Sequence, residues 1–201
     1  MNEYVKIPLS RLIDNIGEEK AIAILSDFSC PVNPDIELFL RTTAIEFEKQ
    51  GLSATHLVFL SQGSQNILIG YYTLTTKAFN ITEAAISKNL SKRISKFATY
   101  DNELDSYFLP APLLAQLGKN FNNEYNKLIT GDELLKMAID DVKLIQRIMG
   151  GKIIYLECEN KPKLLEFYSN NGFVRFADRK LDSDEANIDS KYLVQMLRYL
   201  K

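Results

Sequence analysis

The sequence is poor in the residue types that build metal centres and disulfide frameworks. Of its 201 residues, two are cysteine, one is histidine and none is tryptophan. His56 alone cannot supply a zinc site, and neither Cys30 nor Cys158 has companions at metal-ligand spacing. Cys158 lies in an apolar run typical of a buried strand, so we expect reduced thiols. The sequence therefore predicts no metal.

Long apolar runs and a strong net charge are also lacking. No apolar run approaches the roughly 20 residues that a membrane-spanning helix needs, and the N-terminus shows no basic-then-apolar signal segment. The formal net charge is only −2, so no overall positive field directs the protein to nucleic acid. We expect a cytoplasmic protein without membrane contact.

The segment 153–173 carries the most informative pattern. It begins with an apolar run, Ile153–Cys158, that is typical of a buried strand. Pro162 suits the first turn of a helix, and apolar residues at helical spacing lead to a left-handed cap signal that ends at Gly172. Phe173 then opens another strand. Strand, short helix, Tyr-x-x-x-Gly-Phe and strand together resemble the C-terminal half of the GNAT acyltransferases, which bind acetyl-CoA.

Hydrophobic periodicity predicts helices and strands along the rest of the chain. Residues 1–27 are expected to be mainly helical, and a second helix is expected from Asp35 to Gly51. A hairpin of two strands, Thr55–Leu60 and Ile67–Thr75, follows. The remaining predicted elements are a strand at about Leu113–Gly118, a helix at Asp132–Met149 and a final strand at Tyr192–Leu200.

This order predicts an α+β protein that matches the GNAT fold, with one central mixed, mostly antiparallel sheet flanked by helices. Residues of about 80–108 lack a strand pattern and are interpreted as a helical insert between the third and fourth family strands. No repeat or linker marks a boundary, so we expect a single GNAT acyltransferase domain over 1–201. The final strand, if exposed, offers a surface for a homodimer.

The N-terminal half is similar to one branch of the GNAT family, which includes the toxins of some bacterial toxin–antitoxin pairs. The resemblance implies an acetyl-CoA-dependent N-acetyltransferase that transfers acetyl directly to an amine, without naming the acceptor. The matching segments are Phe28–Cys30, Ile36–Leu40, Ala44, Thr55–Phe59, Gly70–Leu74 and Pro112–Asn120.

The resemblance places the diphosphate of acetyl-CoA at the start of the helix after the fourth family strand. The family pattern there is Gln/Arg-x-x-Gly-x-Gly/Ala, in which glycines let backbone N–H groups close on phosphate. Here Asn126–Gly131 keeps only the last glycine, although asparagine tolerates left-handed backbone and Lys127 can meet a phosphate directly. The cofactor contacts that the resemblance implies are Leu117, Gly118, Lys119, Asn126, Lys127, Leu128, Ile129, Thr130, Gly131 and Asn160.

The resemblance also implies a general acid, the Tyr before x-x-x-Gly-Phe, which is Tyr168 here. A phenol pKa of about 10, against about 8.5 for a thiol, makes Tyr a usable donor to the departing sulfur. The alternative is a core Tyr on an amphipathic helix. Family members meet the oxyanion with backbone N–H groups, which places that contact near Leu117 or Gly118.

A general base is not identified by the sequence. Glu157 and Glu46 are the candidates, and each is more simply interpreted as a solvated or paired surface carboxylate. His56 lies among apolar neighbours and is interpreted as structural. Because some family members pass the proton to water, a missing base does not exclude activity.

A basic stripe in the insert leaves a second function open. Lys88, Lys92 and Lys96 recur four residues apart, with Arg93 beside them. Such a stripe is usually a solvated helix face, whereas a basic insert in the toxin-like branch favours an RNA-facing role. One alternative is therefore a toxin-like acetyltransferase of aminoacyl-tRNA. Another is a catalytically degenerate GNAT domain acting as a binding module, which the glycine-poor loop favours.

Overall fold

The computed structural model describes residues 4–63, 65–181 and 191–201 of the chain. The chain divides into two compact units. The first contains Met1–Thr75 and Leu114–Ile139, and the second contains Thr76–Leu113 and Asp140–Lys201. The single domain expected over 1–201 stays a prediction.

Eight strands among the described residues form a mixed, mostly antiparallel sheet flanked by helices, which confirms the predicted fold class. The strands are β1 (Tyr4–Pro8), β2 (Ala54–Gln62), β3 (Gln65–Thr82), β4 (Thr99–Asp101), β5 (Ser106–Lys119), β6 (Ile153–Glu159), β7 (Val174–Lys180) and β8 (Tyr192–Tyr199). Their order is β1-β2-β3-β5-β6-β8-β7, and β4 pairs with β5 beside this path.

Helices fill most of the connections between these strands. They are α1 (Leu9–Ile16), α2 (Glu18–Ser26), α3 (Pro34–Leu38), α4 (Ala44–Lys49), α5 (Lys88–Ile94), α6 (Gly131–Met149) and α7 (Pro162–Asn170). A π-helical turn at Phe39–Thr43 joins α3 to α4, and short 3-10 turns lie at Glu83–Ala85 and Asn122–Lys127. None of the helices in the described segments combines the length and apolar character needed to cross a bilayer.

The core of the first unit lies between its helices and strands β2 and β3. Phe28 and Tyr71 are both fully buried and meet edge to face, with ring centroids 5.1 Å apart. The Tyr71 hydroxyl donates a 2.6 Å hydrogen bond to the carbonyl of Ile36, so this buried phenol has the partner that burial requires. The other buried members of this core are Leu9, Leu12, Ala21, Leu25, Cys30, Leu40, Ala44, Leu57, Phe59 and Leu68.

The N-terminal residues differ from the sequence prediction. Residues 1–27 were expected to be mainly helical, but Tyr4–Pro8 form β1, which pairs antiparallel with β2 from Tyr4 opposite Leu60 to Pro8 opposite His56. This pairing joins residues about fifty positions apart, so local periodicity does not reveal it. The helical prediction is correct from Leu9 onward.

The helix expected from Asp35 to Gly51 is not one continuous α-helix. Its start is set by Asn33, whose side-chain oxygen accepts a 3.1 Å hydrogen bond from the N–H of Asp35. The π-helical turn then interrupts it, and the Thr42 hydroxyl donates to the carbonyl of Leu38 over 2.8 Å. A π turn inserts one residue into the helical ladder and leaves no clear mark in the apolar pattern.

The insert is shorter than predicted. The hairpin of β2 and β3 is confirmed, but β3 continues to Thr82 and β5 begins at Ser106, so strand residues occupy both ends of the proposed insert of about 80–108. Between these strands lie one 3-10 turn, α5 and β4. At the end of β3, the buried Phe79 and Ile81 alternate with the exposed Asn80 and Thr82, so a strand pattern is present there that the sequence prediction did not recognise.

In the second unit, β8 lies between β6 and β7 and is antiparallel to both. The predicted final strand is therefore correct, but it is not an edge strand, and the surface suggested for a homodimer is not present there. Phe79, Tyr155 and Phe176 pack together beside these strands, with centroid distances of 4.1 and 5.2 Å from Phe79.

Gly118 lies at the closest approach between elements of the first unit. A Cβ atom there would lie 2.4 Å from Cγ2 of Ile36 and 3.3 Å from both Phe28 and Tyr71. On the neighbouring strand, a Cβ atom at Gly70 would lie 3.0 Å from the carbonyl oxygen of Gly118. Only glycine therefore allows the loop after α2 and the start of α3 to pack directly on the end of β5.

We expect Gly118→Ala to lower the stability of the protein by about 1–3 kcal/mol, because the added methyl overpacks a buried contact. Thermal denaturation checks this. Ile36→Ala removes the atom that clashes, so the double variant should lose less stability than the sum of the two single variants. Additive losses would show that the Cβ at position 118 is accommodated elsewhere.

Candidate active site

In the first unit, the end of β5 lies beside the loop that precedes α6. Leu117 and Lys119 are partly exposed, and Gly118 is buried. The Lys119 ammonium donates a 2.9 Å hydrogen bond to the backbone carbonyl of Asn126. The predicted cofactor contacts on β5 and those on the loop are thus brought together within this unit.

The loop itself turns without glycine. Asn123 and Glu124 both adopt left-handed backbone, with φ of 47° and 62°. Asparagine enters this region more readily than most residues, whereas glutamate is uncommon there. The Lys127 ammonium pairs with the Glu124 carboxylate at 2.5 Å. The sequence could predict that asparagine takes the place of glycine in this loop. It could not predict the left-handed backbone of Glu124.

Helix α6 begins with a capping box formed by Thr130 and Glu133. The Glu133 carboxylate accepts hydrogen bonds from the N–H and the hydroxyl of Thr130, at 2.8 and 2.7 Å. The N–H of Glu133 donates to the Thr130 hydroxyl at 3.1 Å. The N–H of Thr130, followed by its hydroxyl, lowers the pKa of Glu133. A negative group therefore already occupies the positive end of the helix.

The donors at this helix start are of the kind that binds a diphosphate. They comprise the ammonium groups of Lys119 and Lys127, the positive end of a 19-residue helix and backbone N–H groups of 126–131 other than those of Leu128 and Thr130, which donate within the chain. Gly131, at the first helical position, has no side chain to block an approaching anion. Glu124 and Glu133 offset part of the positive charge. The residues fit a diphosphate. Because Glu124 and Glu133 lie beside the donors, the positive field is weaker than it would be if the lysines had no carboxylate partners.

Asn120, which follows β5, ties three parts of the first unit together. Its side chain is 1% exposed. Its oxygen accepts hydrogen bonds from the N–H groups of Ser29 and Asn122, both at 3.0 Å. Its amide donates to the carbonyl of Leu68 at 2.8 Å. Sequence reasoning missed this role, because an asparagine at a strand end gives no sign that it is buried.

The loop after α2 is held from a second side by α3. The Glu37 carboxylate accepts hydrogen bonds from the N–H of Cys30 at 2.7 Å and from the Ser29 hydroxyl at 3.2 Å. The N–H of Cys30 is the main reason that the pKa of Glu37 is lowered. Arg41 contacts the same carboxylate and, through Nε, the carbonyl of Ser26 at 3.0 Å. This loop is therefore fixed both to the end of β5 and to α3.

A cavity of about 560 Å³ opens beside the same loop in the first unit. Asp27 is the one charged residue that lines it, and none of the predicted cofactor contacts does so. Its lining consists of Ile7, Leu12, Ile16, Ile24, Asp27, Phe59, Gln65, Asn66, Ile67, Leu68, Asn120, Asn122, Asn123 and Tyr125.

In the second unit, the Tyr-x-x-x-Gly-Phe segment forms a complete helix cap at the end of α7. The N–H of Phe173 donates to the carbonyl of Tyr168 at 3.0 Å, and the N–H of Gly172 donates to that of Ser169 at 2.9 Å. Gly172 has φ of 78°. These are the two hydrogen bonds of a Schellman motif, so the predicted left-handed stop is confirmed. The spacing of Tyr, Gly and Phe follows from this cap.

The Tyr168 side chain is buried among aromatic rings in the second unit. Its ring centroid lies 5.0 Å from that of Phe167 and 5.7 Å from that of Phe173. Burial, and then the neighbouring Cys158 thiol, raises the pKa of the Tyr168 phenol well above its ordinary value. A phenol is protonated at neutral pH even at its ordinary pKa of about 10, so the raised pKa keeps the hydroxyl neutral and makes it a weaker acid. Burial also raises the pKa of Cys158 to about 11, which argues against a nucleophilic role for that thiol.

The candidate bases are engaged in other contacts. The Glu157 side chain is 10% exposed and accepts a 2.8 Å bond from Arg179 Nε. Gln195 donates to the other oxygen of Glu157 at 2.8 Å. Glu46 accepts from the Gln50 amide at 2.6 Å on an exposed helix face. His56 stacks on Tyr72, with ring centroids 5.0 Å apart. Among the described residues, no group of three or more His, Cys, Asp or Glu could hold a metal ion.

The basic stripe lies on α5 and the turn after it. Lys88, Lys92 and Lys96 are exposed. Arg93 differs from them, because its guanidinium lies over the Tyr199 ring, 5.0 Å from the centroid. The stripe available to a partner therefore consists of three lysines, and Arg93 belongs to the packing of the second unit. Asn160, the remaining predicted cofactor contact, is exposed directly after β6.

No protein-family model matches this sequence, and no curated protein matches it. Solved structures do match. AtaT complexed with acetyl-methionyl-tRNAfMet is 17% identical, with a TM-score of 0.63 over 96% of this chain and 94% of that one. A KacT variant is 15% identical, with the same TM-score and coverage. AtaTR bound with AcCoA is 18% identical, with a TM-score of 0.58 over 96% of this chain and 93% of that one.

The chain has the GNAT fold. AtaT is a toxin, so the predicted resemblance to the toxin-like branch is confirmed at the level of structure. In GNAT terms, β5 and β6 are the fourth and fifth family strands, and α5 with β4 forms the insert. The roles of the individual site residues stay predictions.

We expect Asn120→Asp to destabilise the protein by about 2–3 kcal/mol at neutral pH, because a carboxylate oxygen then faces the carbonyl of Leu68 without a proton between them. Protonation of the new carboxyl restores a donor toward the Leu68 carbonyl, so the loss should shrink at acidic pH. Thermal melts across a pH series measure this. Asn122→Asp makes the same chemical change at a more exposed hydrogen bond and should cost much less at neutral pH.

Proposed function

We propose that this protein is an acetyl-CoA-dependent N-acetyltransferase that transfers acetyl directly to an amine. The observation that carries the proposal is the GNAT fold shared over nearly the whole chain with AtaTR bound with AcCoA. The diphosphate donors at the start of α6 add independent support from the chain itself. We further propose that the enzyme works in the cytoplasm.

Acetyl-CoA is held, in this proposal, by contacts that the first unit already arranges. Lys119, Lys127 and backbone N–H groups of 126–131 receive the diphosphate, and Asn160 is a further contact. Within that segment, the N–H groups of Leu128 and Thr130 already donate to the Tyr125 carbonyl and the Glu133 carboxylate, so they are not counted among the donors. Backbone N–H groups near Leu117 or Gly118 meet the oxygen that becomes negative as the amine attacks, as in an oxyanion hole. The close packing at Gly118 keeps that backbone rigid, which is the condition for such stabilisation without reorganisation.

Tyr168 is the proposed general acid. The amine nitrogen first bonds to the carbonyl carbon; the C–S bond then breaks, and the departing sulfur needs a proton or a hydrogen bond. The Tyr168 phenol is protonated at neutral pH, and because burial raises its pKa it is better suited to donate a hydrogen bond to the departing sulfur than to release its proton completely. The cap at Gly172 fixes the end of its helix. Since Glu157 is engaged by Arg179 and Gln195, we propose that water takes the proton of the amine.

We expect Tyr168→Phe to lower kcat by about 10²–10⁴-fold with little change in acetyl-CoA affinity, because only the donor is removed. Steady-state kinetics with an amine substrate and calorimetry with acetyl-CoA measure the two effects. Phe167→Leu alters the neighbouring ring without touching the donor and should leave kcat within a few fold.

Two outcomes would count against these roles. Unchanged turnover in Tyr168→Phe would make Tyr168 a packing residue. Absence of any calorimetric heat when acetyl-CoA is added to folded wild-type protein would remove the cofactor proposal and leave a binding module without catalysis.

A second candidate function is acetylation of aminoacyl-tRNA. Two observations favour it: the structural similarity to AtaT complexed with acetyl-methionyl-tRNAfMet, and the three exposed lysines on and after α5. Neither Lys88, Lys92 nor Lys96 forms a salt bridge with the described part of the chain, so their charges are available to phosphates. The mildly negative net charge confines any RNA contact to such a local surface.

We expect replacement of Lys88, Lys92 and Lys96 by Ser to weaken tRNA binding and to flatten its salt dependence. Each lost phosphate contact should reduce the log–log slope by roughly 0.7–0.9. Gel-shift titrations at several salt concentrations measure both quantities. The matched control replaces three exposed lysines elsewhere, Lys20, Lys77 and Lys163, with the same change in net charge.

Acetylation of a small free amine should be nearly unchanged in the α5 variant. Equal weakening by the two triple variants would mean that only net charge matters, and absence of tRNA binding by wild type at low salt would end the RNA proposal.

A further inference from the structure

The last two turns of α6 expose large apolar side chains in the second unit. Leu144 is 53% exposed, Ile145 42%, Ile148 87% and Met149 82%. We call these four residues the α6 apolar face. Single exposed apolar residues are ordinary, but four that adjoin on one helix form a patch of the type that marks an interaction site. Neither cofactor binding nor the proposed chemistry uses these side chains.

A groove continues this face within the same unit. Its volume is about 290 Å³, and Ile145 and Met149 of the α6 apolar face form part of its wall. Phe97, which is 38% exposed, contributes an aromatic side chain. The other lining residues are Thr76, Leu109, Pro110, Ala111, Pro112, Gln146, Gly150, Gly151, Lys152 and Ile153.

The charges on the segments that supply most of the groove wall have one sign. The segments that supply its wall and their neighbours, 92–97, 109–113 and 143–153, contain no Asp or Glu. Asp140 and Asp141, one turn earlier on α6, already interact with other groups of the protein. The basic residues in the three segments are Lys92, Arg93, Lys96, Lys143, Arg147 and Lys152.

We propose that the α6 apolar face and its groove bind an amphipathic, acidic peptide segment of another protein. The apolar stripe of such a segment covers Ile148 and Met149, and its carboxylates meet Arg147 and Lys152. This is the groove mode of helix recognition, in which apolar anchors give affinity and charges set orientation. The inference does not depend on the acetyltransferase proposal.

Two other occupants fit the surface less well. Nucleic acid matches the basic rim but offers little apolar surface to cover Ile148 and Met149. A second copy of this chain, related by a two-fold axis, brings the same patch to both sides of the contact. Basic rims would then oppose each other, and like charges disfavour such a contact.

The test uses the full chain and a synthetic probe. The probe is a fluorescein-labelled peptide of about 18 residues, five helical turns, with Leu on one helical face and Glu on the other. A control peptide carries Lys in place of every Glu. Fluorescence anisotropy at low salt should show saturable binding of the acidic peptide, at least about tenfold tighter than the basic one, weakening as salt rises.

Double variants test which surface of the protein binds the acidic peptide. Ile148→Ser with Met149→Ser should weaken binding of the acidic peptide at least about tenfold, because the anchors are lost. Both side chains are mainly solvent-exposed, so folding should be unaffected, which circular dichroism checks. The matched control, Val32→Ser with Leu104→Ser, changes residues that are 64% and 63% exposed elsewhere and should bind normally. Arg147→Glu with Lys152→Glu should reverse the preference between the two peptides.

Three results would overturn the proposal. The acidic peptide does not bind, it binds no better than the basic peptide, or Ile148→Ser with Met149→Ser weakens its binding no more than the control variant does. Sedimentation provides a further test: a concentration-dependent dimer that Ile148→Ser with Met149→Ser dissolves would assign the face to a second copy.

Discussion

The buried amide of Asn120 is the contact on which the predicted cofactor region depends. It holds the loop after α2, strand β3 and the loop before α6 to the end of β5. Beside it, Gly118 lets Ile36 approach to a distance that no other residue would allow. A hydrogen-bonded buried amide tolerates little displacement, because a shift leaves a donor or an acceptor unpaired. The backbone that is proposed to meet a developing oxyanion is therefore rigid before any ligand arrives.

The glycine-poor loop before α6 makes its tight turn without the glycines of the family pattern. Left-handed backbone at Asn123 and Glu124 replaces the turn that glycines would make, and the Lys119 ammonium ties Asn126 to the strand. The capping box at Thr130 stabilises the helix start, but it also places the Glu133 carboxylate where an anion would be attracted. Stability of α6 and affinity for a diphosphate are therefore in competition at the same few N–H groups.

Much of the fold could be predicted because its signals are local. Pro162, Gly172 and the long periodic run of α6 mark helix boundaries through backbone conformation and capping, and those boundaries are correct within a residue or two. Strand β1, the ends of β3 and β5, and the central position of β8 depend on pairing with distant residues, which no local pattern encodes. The burial of Asn120 was missed for the same reason. The fold class was predictable from the order of elements, whereas the roles of site residues rested on resemblance.

The Tyr-x-x-x-Gly-Phe motif shows why that distinction matters. Its spacing is explained by the Schellman cap alone, since Gly172 must adopt positive φ and Phe173 packs against the residue at the position of Tyr168. The cap needs an apolar side chain at that position, but it needs no hydroxyl. A buried phenol must compensate for the water that it loses, and leucine or phenylalanine would serve the cap without that cost. The hydroxyl of Tyr168 is thus the one part of the motif that folding does not require, and it is the part that the proposed chemistry uses.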